Sequence, residues 1–234
     1  MINKDLLKRY AQEIGVSLDA TALDRFDVYA KLLVETNKVM NLTGITEPDE
    51  IVVKHFIDSL ELLKYADIPQ GASMIDVGTG AGFPGVPLLI ARPDIRLTLL
   101  DSLQKRLNFL DNVLNECGLE AELLHLRAEG GGKDARLRET YDIATARAVA
   151  PMNVLAEYLL PYVKVVGSMY ALKGTGENIA DSAQAVEALG GEIAEEYNFE
   201  LPNVDSRSIV YVKKISQTPT QSPRKSKKIT ATPL

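Results

Sequence analysis

Hydrophobic positions along the chain change period once. Up to about residue 63 they recur at helical spacing. Asn3 is placed to cap a helix running to about Ile14, which Gly15 stops. Asp19 is placed to cap a second, with Leu23, Phe26, Tyr29 (or Ala30) and Leu33 on one face and an end near Met40. Residues 41–46 are rich in turn formers. A third helix, over 48–63, carries Ile51, Val52, His55, Phe56 and Leu60. Pro69-Gln70-Gly71 separates this block from the rest. From Ser73 onward, short apolar runs alternate with helical patterns. Strands are expected at 73–77, 96–101, 120–126, 141–146 and 165–172, and helices at 84–91, 103–117, 151–162 and 177–189. Such alternation predicts a parallel sheet covered by helices on both faces. Two last strands, near 192–199 and 207–214, would join at a Pro202-Asn203 turn. From Ser216 on, Ser, Thr, Pro and Lys dominate, and that segment is expected to order only on contact with something. The expected organisation is a helical extension (1–68), an α/β domain (69–215) and a flexible basic tail (216–234).

The stretch from Met74 to Pro87 carries the most chemistry. Met74–Val77 reads as a buried strand, and Gly78, Gly80 and Gly82 allow a tight turn with close backbone approach. Pro84 and Pro87 are tolerable only in a first helical turn. A charged ligand lies well against the amides of such a turn. Two fingerprints compete. Gly80-x-Gly82-x-x-Gly85 matches the dinucleotide pattern, and an NAD-dependent oxidoreductase would use it. The acid-first Asp76-x-Gly78-x-Gly80-x-Gly82 is the signature of S-adenosylmethionine methyltransferases and fits the strand better. Asp101 follows 23 residues beyond Gly78, after the next strand, where a ribose-binding acid is expected.

Ligands of open α/β sheets sit outside the carboxyl ends of the strands. The residues expected on that rim are Gly78 to Phe83, Asp101-Ser102, Arg127-Ala128-Glu129, Arg147 and Lys173-Gly174. Asp101 and Glu129 offer acceptors for the ribose and adenine sides. Arg147 and Lys173 are cations suited to an anionic substrate.

Composition adds boundaries. With 46% hydrophobic and 25% charged residues, the chain is ordinary for a globular protein. A single cysteine, Cys117, excludes a disulfide framework and a cysteine-based metal site. The polar N-terminus and the lack of a long apolar run point to a cytoplasmic protein with no membrane partner. Net charge is −6, but it is unevenly spread. Lys213 to Leu234 holds six bases and no acid, leaving twenty bases against all thirty-two acids elsewhere. A basic tail on an acidic body suits a polyanion, or is simply a solvated end.

His55-Phe-Ile-Asp58-Ser59-Leu, Asp76 through Pro87, Asp101-Ser-x-x-Lys105-Arg106-x-x-Phe109-Leu, Arg127-Ala-Glu129, Thr145-Ala-Arg147-Ala and Lys173-Gly174, with an ending of Thr218-Pro219 and Ser222-Pro-Arg224-Lys225 through Pro233-Leu234, resemble the bacterial RsmG (GidB) family from about Asn41 to the C-terminus. The resemblance implies a class I S-adenosylmethionine-dependent, Rossmann-like fold with a seven-stranded, mostly parallel sheet. It implies methyl transfer to N7 of guanine-527 in 16S ribosomal RNA, with that RNA or the small ribosomal subunit as partner; a monomer without metal is the expectation here. Family cofactor contacts fall on Gly78, Phe83, Ala128, Glu129 and Arg147, beside Asp76, Gly80 and Asp101 from the motif. Arg147, Lys173 and Asn41 are the candidates for work on the base. Gly130-Gly131-Gly132 departs from the family's acidic and apolar residues and is expected to loosen that loop. Gln221 stands in the tail where a base or aromatic is common.

The residue inventory narrows the reaction. Exocyclic amine methylation usually goes with an Asn/Asp-Pro-Pro-aromatic motif after the fourth strand, where Ala144-Thr-Ala-Arg147-Ala stands instead. Pyrimidine C5 methylation needs a cysteine nucleophile, and Cys117 is expected about 21 Å down its helix from the active edge. Guanine N7 presents a lone pair with no proton to lose, so its methylation needs placement and no base. A small-molecule methyltransferase, its helical block acting as a lid, is the other reading within this class. His55 reads either as a packed helix histidine bonded to Asp58 or a carbonyl, or as a group ordering the site beneath the cofactor. Lys105 and Arg106 would meet RNA phosphates or cover apolar surface with their stems.

Overall fold

The computed structural model describes residues 1–147, 149–174, 176–202 and 206–234. The expected Pro202-Asn203 turn therefore lies partly outside the described residues. Three helical segments precede the sheet. Helix α1 (Lys4–Glu13) starts at Asn3, whose side chain accepts the Leu6 N–H at 3.0 Å. Helix α2 (Ala20–Met40) starts at Asp19, which accepts the Ala22 N–H at 2.7 Å. Each cap satisfies an amide that the first turn leaves open. The third segment, α3 (residues 48–65), is α-helical at Pro48–Ile51, widens to a π-helix over Val52–Ile57, and continues at Asp58–Leu60 and Leu62–Tyr65. The sequence pattern predicts its extent but not the π turn, which re-aims the side chains around His55.

The elements that follow are β1 (Ser73–Val77), α4 (Gly85–Ala91), β2 (Arg96–Asp101), α5 (Gln104–Cys117), β3 (Glu122–His125), the single turn α6 (Ala128–Gly131), β4 (Tyr141–Arg147), α7 (Met152–Leu159), β5 (Val163–Lys173), α8 (Ala183–Ala188), β6 (Gly191–Glu200), β7 (Ser206–Lys214) and α9 (Ser226–Ala231). The seven-stranded sheet has the order β3-β2-β1-β4-β5-β7-β6. Strands β1 to β5 pair in parallel, and β7 runs antiparallel between β5 and β6. Strand order reverses between β1 and β4, opening a crevice at their carboxyl ends.

Each sheet face has its own core. Ile75, Val77, Ala144, Ala146, Leu155 and Met169 belong to the core beneath α7 and α8. The opposite core joins Met74, Leu97, Leu99 and Ile143 to α4, α5 and the N-terminal helices. Phe26 and Phe56 lie 4.8 Å apart, and Tyr29 and Phe83 5.4 Å apart, so one aromatic cluster links the helices to the glycine turn. Arg25 of α2 donates to the carbonyls of Cys117 (2.8 Å) and Gly118 (3.3 Å), satisfying acceptors at the C-terminus of α5.

The C-terminal segment differs from the expectation of a flexible tail. Thr218, Ser222, Pro223 and Ile229 are buried. Lys214 is wholly buried, donating to Leu160 O at 2.8 Å and to the Thr218 hydroxyl. Arg224 grips the wholly buried Glu157 carboxylate at 2.6 Å. Two of the six bases of this segment are thus consumed in the fold, where the buried Glu157 carboxylate and the Leu160 carbonyl take them as partners.

Candidate functional site

The site is built at the carboxyl ends of β1, β2 and β3. Gly78 has φ +72, and its amide donates to Leu100 O at 2.8 Å. A side chain there would be strained, and its Cβ would lie 3.2 Å from Val149. Asp101, 1% exposed, accepts from the amides of Gly80 (3.0 Å) and Leu103 (2.9 Å) and pairs with Arg106 at 3.3 Å. A carboxylate has about four acceptor sites, so one remains for a ligand hydroxyl. Arg106, its side chain 36% exposed, balances Asp101.

A groove of about 380 Å³ opens above this turn, within the range of small-molecule sites. Gly78, Asp101, Ala128, Glu129 and Arg147 line it, together with Val149, Tyr158 and Ser226. Three expected cofactor residues do not. Asp76 is wholly buried and holds the turn from beneath, accepting from Thr79 Oγ1 (2.7 Å) and Gly85 N (3.0 Å). Its Oδ1 has no partner among the described residues, and burial pushes its carboxyl up to about 6. Gly80 shapes the turn with φ +62. Phe83, 5% exposed, stacks on His55 at 4.4 Å.

Arg147 lines the groove and is tied into the surrounding elements. It donates to Asp58 (2.8 Å), Lys54 O (3.1 Å) and His55 Nδ1 (3.0 Å), and its guanidinium lies 4.6 Å from the Phe83 ring centre. His55 thus meets the Thr43 hydroxyl through Nε2 (2.8 Å) and, through Nδ1, Arg147 (3.0 Å) and the Lys54 carbonyl (3.1 Å), a carbonyl and not Asp58. Burial, then the Arg147 charge, push its imidazole down to about 3, so it is neutral. This arrangement follows from the π turn of α3, which places His55 and Asp58 against the end of β4.

A second, wider cavity of about 560 Å³ adjoins, sharing Val149 and lined by Ala150, Pro151, Lys173, Gly174, Gly176 and Glu177. Lys173 donates to Ala150 O at 2.7 Å and pairs with Glu177 at 2.6 Å. Asn41, the exposed C-cap of α2, lines neither cavity. Cys117 is remote and inert, its thiol pushed up to about 11 by burial. Gly131 and Gly132 are buried, the former within α6. A Cβ on Gly132 would meet Pro223 at 3.1 Å. The glycine run therefore admits the tail against the loop instead of loosening it. Sequence reasoning missed Val149, Tyr158 and Ser226. Val149 follows β4 and was open to the same strand-end logic, but no local signal marks the other two.

The residues fit S-adenosylmethionine. The half-buried Glu129 carboxylate faces the groove without a hydrogen bond or ion pair to any described residue, next to Asp101. Such paired acceptors suit a nucleoside.

Sheet order, the closing antiparallel strand and an acid-lined groove at the reversal point define a class I S-adenosylmethionine-dependent methyltransferase. Solved structures share the fold. A SAM-dependent methyltransferase from Aquifex aeolicus superposes with TM-score 0.55 at 17% identity, over 75% of this chain and 97% of that one. The 16S rRNA (adenine(1408)-N(1))-methyltransferase from Catenulisporales acidiphilia gives 0.54 at 15% identity, over 65% and 87%. A sequence profile described as "GidB: rRNA small subunit methyltransferase G" matches residues 22–202. Ribosomal RNA small subunit methyltransferase G of Thermoanaerobacter sp. (strain X514) is 47% identical over 98% of both chains, and that of Clostridium botulinum (strain Eklund 17B / Type B) is 45% identical over 98% of both. The chain belongs to the GidB family of rRNA small subunit methyltransferases.

Proposed function

We propose that this protein transfers the methyl group of S-adenosylmethionine to N7 of a guanine in 16S ribosomal RNA, the family's guanine-527, in the cytoplasm. The observation that carries the reading is the contiguity of an acid-lined nucleoside groove with a second cavity that, among the described residues, has no free base or nucleophile. When bound, the cofactor supplies an electrophilic methyl on a sulfonium. Gly78 leaves room for it, Asp101 keeps the turn in shape through the Gly80 and Leu103 amides, and Glu129 accepts from its nucleoside. Arg147, locked to His55 and Asp58, holds the groove wall to the N-terminal helices. The base enters beside Lys173, whose paired Glu177 favours the positive charge that N7 gains on methylation. His55 is neutral and engaged, and Cys117 is buried, which suits an acceptor nitrogen that gives up no proton. The groove is complete within one chain, so a monomer suffices. Lys225, Lys227 and Lys228 are exposed around Ser226 at the groove, where RNA phosphates would pass.

Labelled S-adenosylmethionine, small-subunit RNA and the protein should yield labelled 7-methylguanosine on nucleoside analysis. Label in a different nucleoside would overturn the assignment to N7. Label confined to small molecules would favour the small-molecule alternative.

A further inference from the structure

We infer that the C-terminal segment Thr218–Ala231 forms the outer wall of the donor groove, with the Ser226 and Tyr158 hydroxyls facing the bound nucleoside. The inference rests on the cofactor reading above and extends it to residues that are not among the expected cofactor contacts.

Four sets of contacts fasten the segment. Arg138 donates to Gly132 O (2.9 Å), Ser222 O (2.8 Å), Thr218 O (2.7 Å) and Pro219 O (3.1 Å), so one side chain binds the loop after α6 to the tail. Thr218 donates its amide to Glu139 at 2.7 Å and its hydroxyl to Leu189 O at 2.8 Å. Buried Lys214 reaches Leu160 O and Thr218. Arg224 meets Glu157 through its amide (2.7 Å), Nε (2.9 Å) and Nη2 (2.6 Å). A flexible RNA arm has no use for so many buried partners, since each costs desolvation and ordering.

These contacts have one geometric result. Glu157 precedes Tyr158 on α7, and Arg224 precedes Ser226 by two residues. Clamping Glu157 to Arg224 therefore brings Ser226 to Tyr158, with the two hydroxyls 3.3 Å apart. Both residues are half-buried and line the groove with Ala128 and Glu129. Pro223 packs at Gly132, directly after α6, which carries Ala128 and Glu129. Tyr162, next to the wall, donates to Ala128 O at 2.6 Å. The loop that offers the nucleoside acceptor is thus pressed from behind by the same segment that closes the groove.

The test uses the full-length chain and S-adenosylhomocysteine, the spent donor, in calorimetry. Ser226→Trp places an indole in the groove and should weaken binding about tenfold or more, with the melting temperature unchanged. Tyr158→Phe should weaken it by less. On the unmutated chain, the ligand should slow amide hydrogen exchange across 226–231, which a merely structural tail would not show. Unchanged affinity in folded Ser226→Trp, or unchanged exchange across 226–231 under saturating ligand, overturns the inference while leaving the cofactor site standing. Should Ser226→Trp fail to fold, the exchange measurement decides alone. No binding to the unmutated chain would overturn the cofactor reading itself, and this inference with it.

Discussion

Two buried titratable residues beneath the turn pull stability in opposite directions with pH. Asp76 has a folded-state pKa raised to about 6, first by desolvation. Below about pH 4 both folded and unfolded carboxyls are protonated, and Asp76 favours folding most; that contribution is lost as pH rises through 6. His55 is depressed to about 3 from an ordinary 6.5, so the unfolded chain binds its proton first. Its contribution is present above about pH 6.5 and is lost on acidification. Each changes by roughly 1.4 kcal/mol per pH unit inside its window, so they offset one another between about pH 4 and 6. Asp76→Asn should therefore lose stability more steeply than the unmutated chain on acidification over that range, and His55→Gln less steeply, by urea midpoints. Parallel profiles for all three would remove both groups from the pH response. Gly78→Val should abolish S-adenosylhomocysteine binding in calorimetry while the fold survives, at a strain of about 1–2 kcal/mol. Retained affinity would detach the ligand from this turn.

Elements are held to the site by close approaches that only small residues permit. A Cβ on Gly82, at φ +101, would sit 2.7 Å from both Leu110 Cδ2 and Tyr29 Oη. Tyr29 of α2 donates to Ala81 O in the same turn. Gly82→Ala should thus force α2 away from the turn and cost about 2–4 kcal/mol. An unshifted thermal melt would show that α2 does not seat the turn. Helices α1, α2 and α5 and strands β1 and β2 were legible in the chain because caps, glycine stops and apolar period agreed locally. The short turns α6 and α9 were not. Gly130-Gly131-Gly132 and Ser222-Pro223 are breakers by local rules, and only packing against Tyr162, Pro161 and each other makes them ordered.

Across the whole molecule, charge is divided between structure and recognition. Lys214 and Arg224 are spent on buried partners, while Lys225, Lys227 and Lys228 stay exposed beside the groove. Replacing those three lysines with glutamine should lower the salt slope of RNA binding by about 2, since each phosphate neutralised on a single strand contributes roughly 0.7. S-adenosylhomocysteine affinity should stay unchanged. An identical slope would place the RNA on another face. Among the described residues no helix is long and apolar enough to cross a membrane.

Local chemistry along the chain determined the sheet, the glycine turn, the acids after β2 and β3 and the family motifs, since each depends on residues close in sequence. Tertiary structure alone decided what those residues do. It buried Asp76 beneath the glycine turn. It tied Arg147 to His55 and Asp58, 92 and 89 positions away, and carried Ser226 across 68 positions to Tyr158. Pairings over such spans depend on how two cores pack onto one sheet, and no periodicity or spacing within a single stretch encodes them.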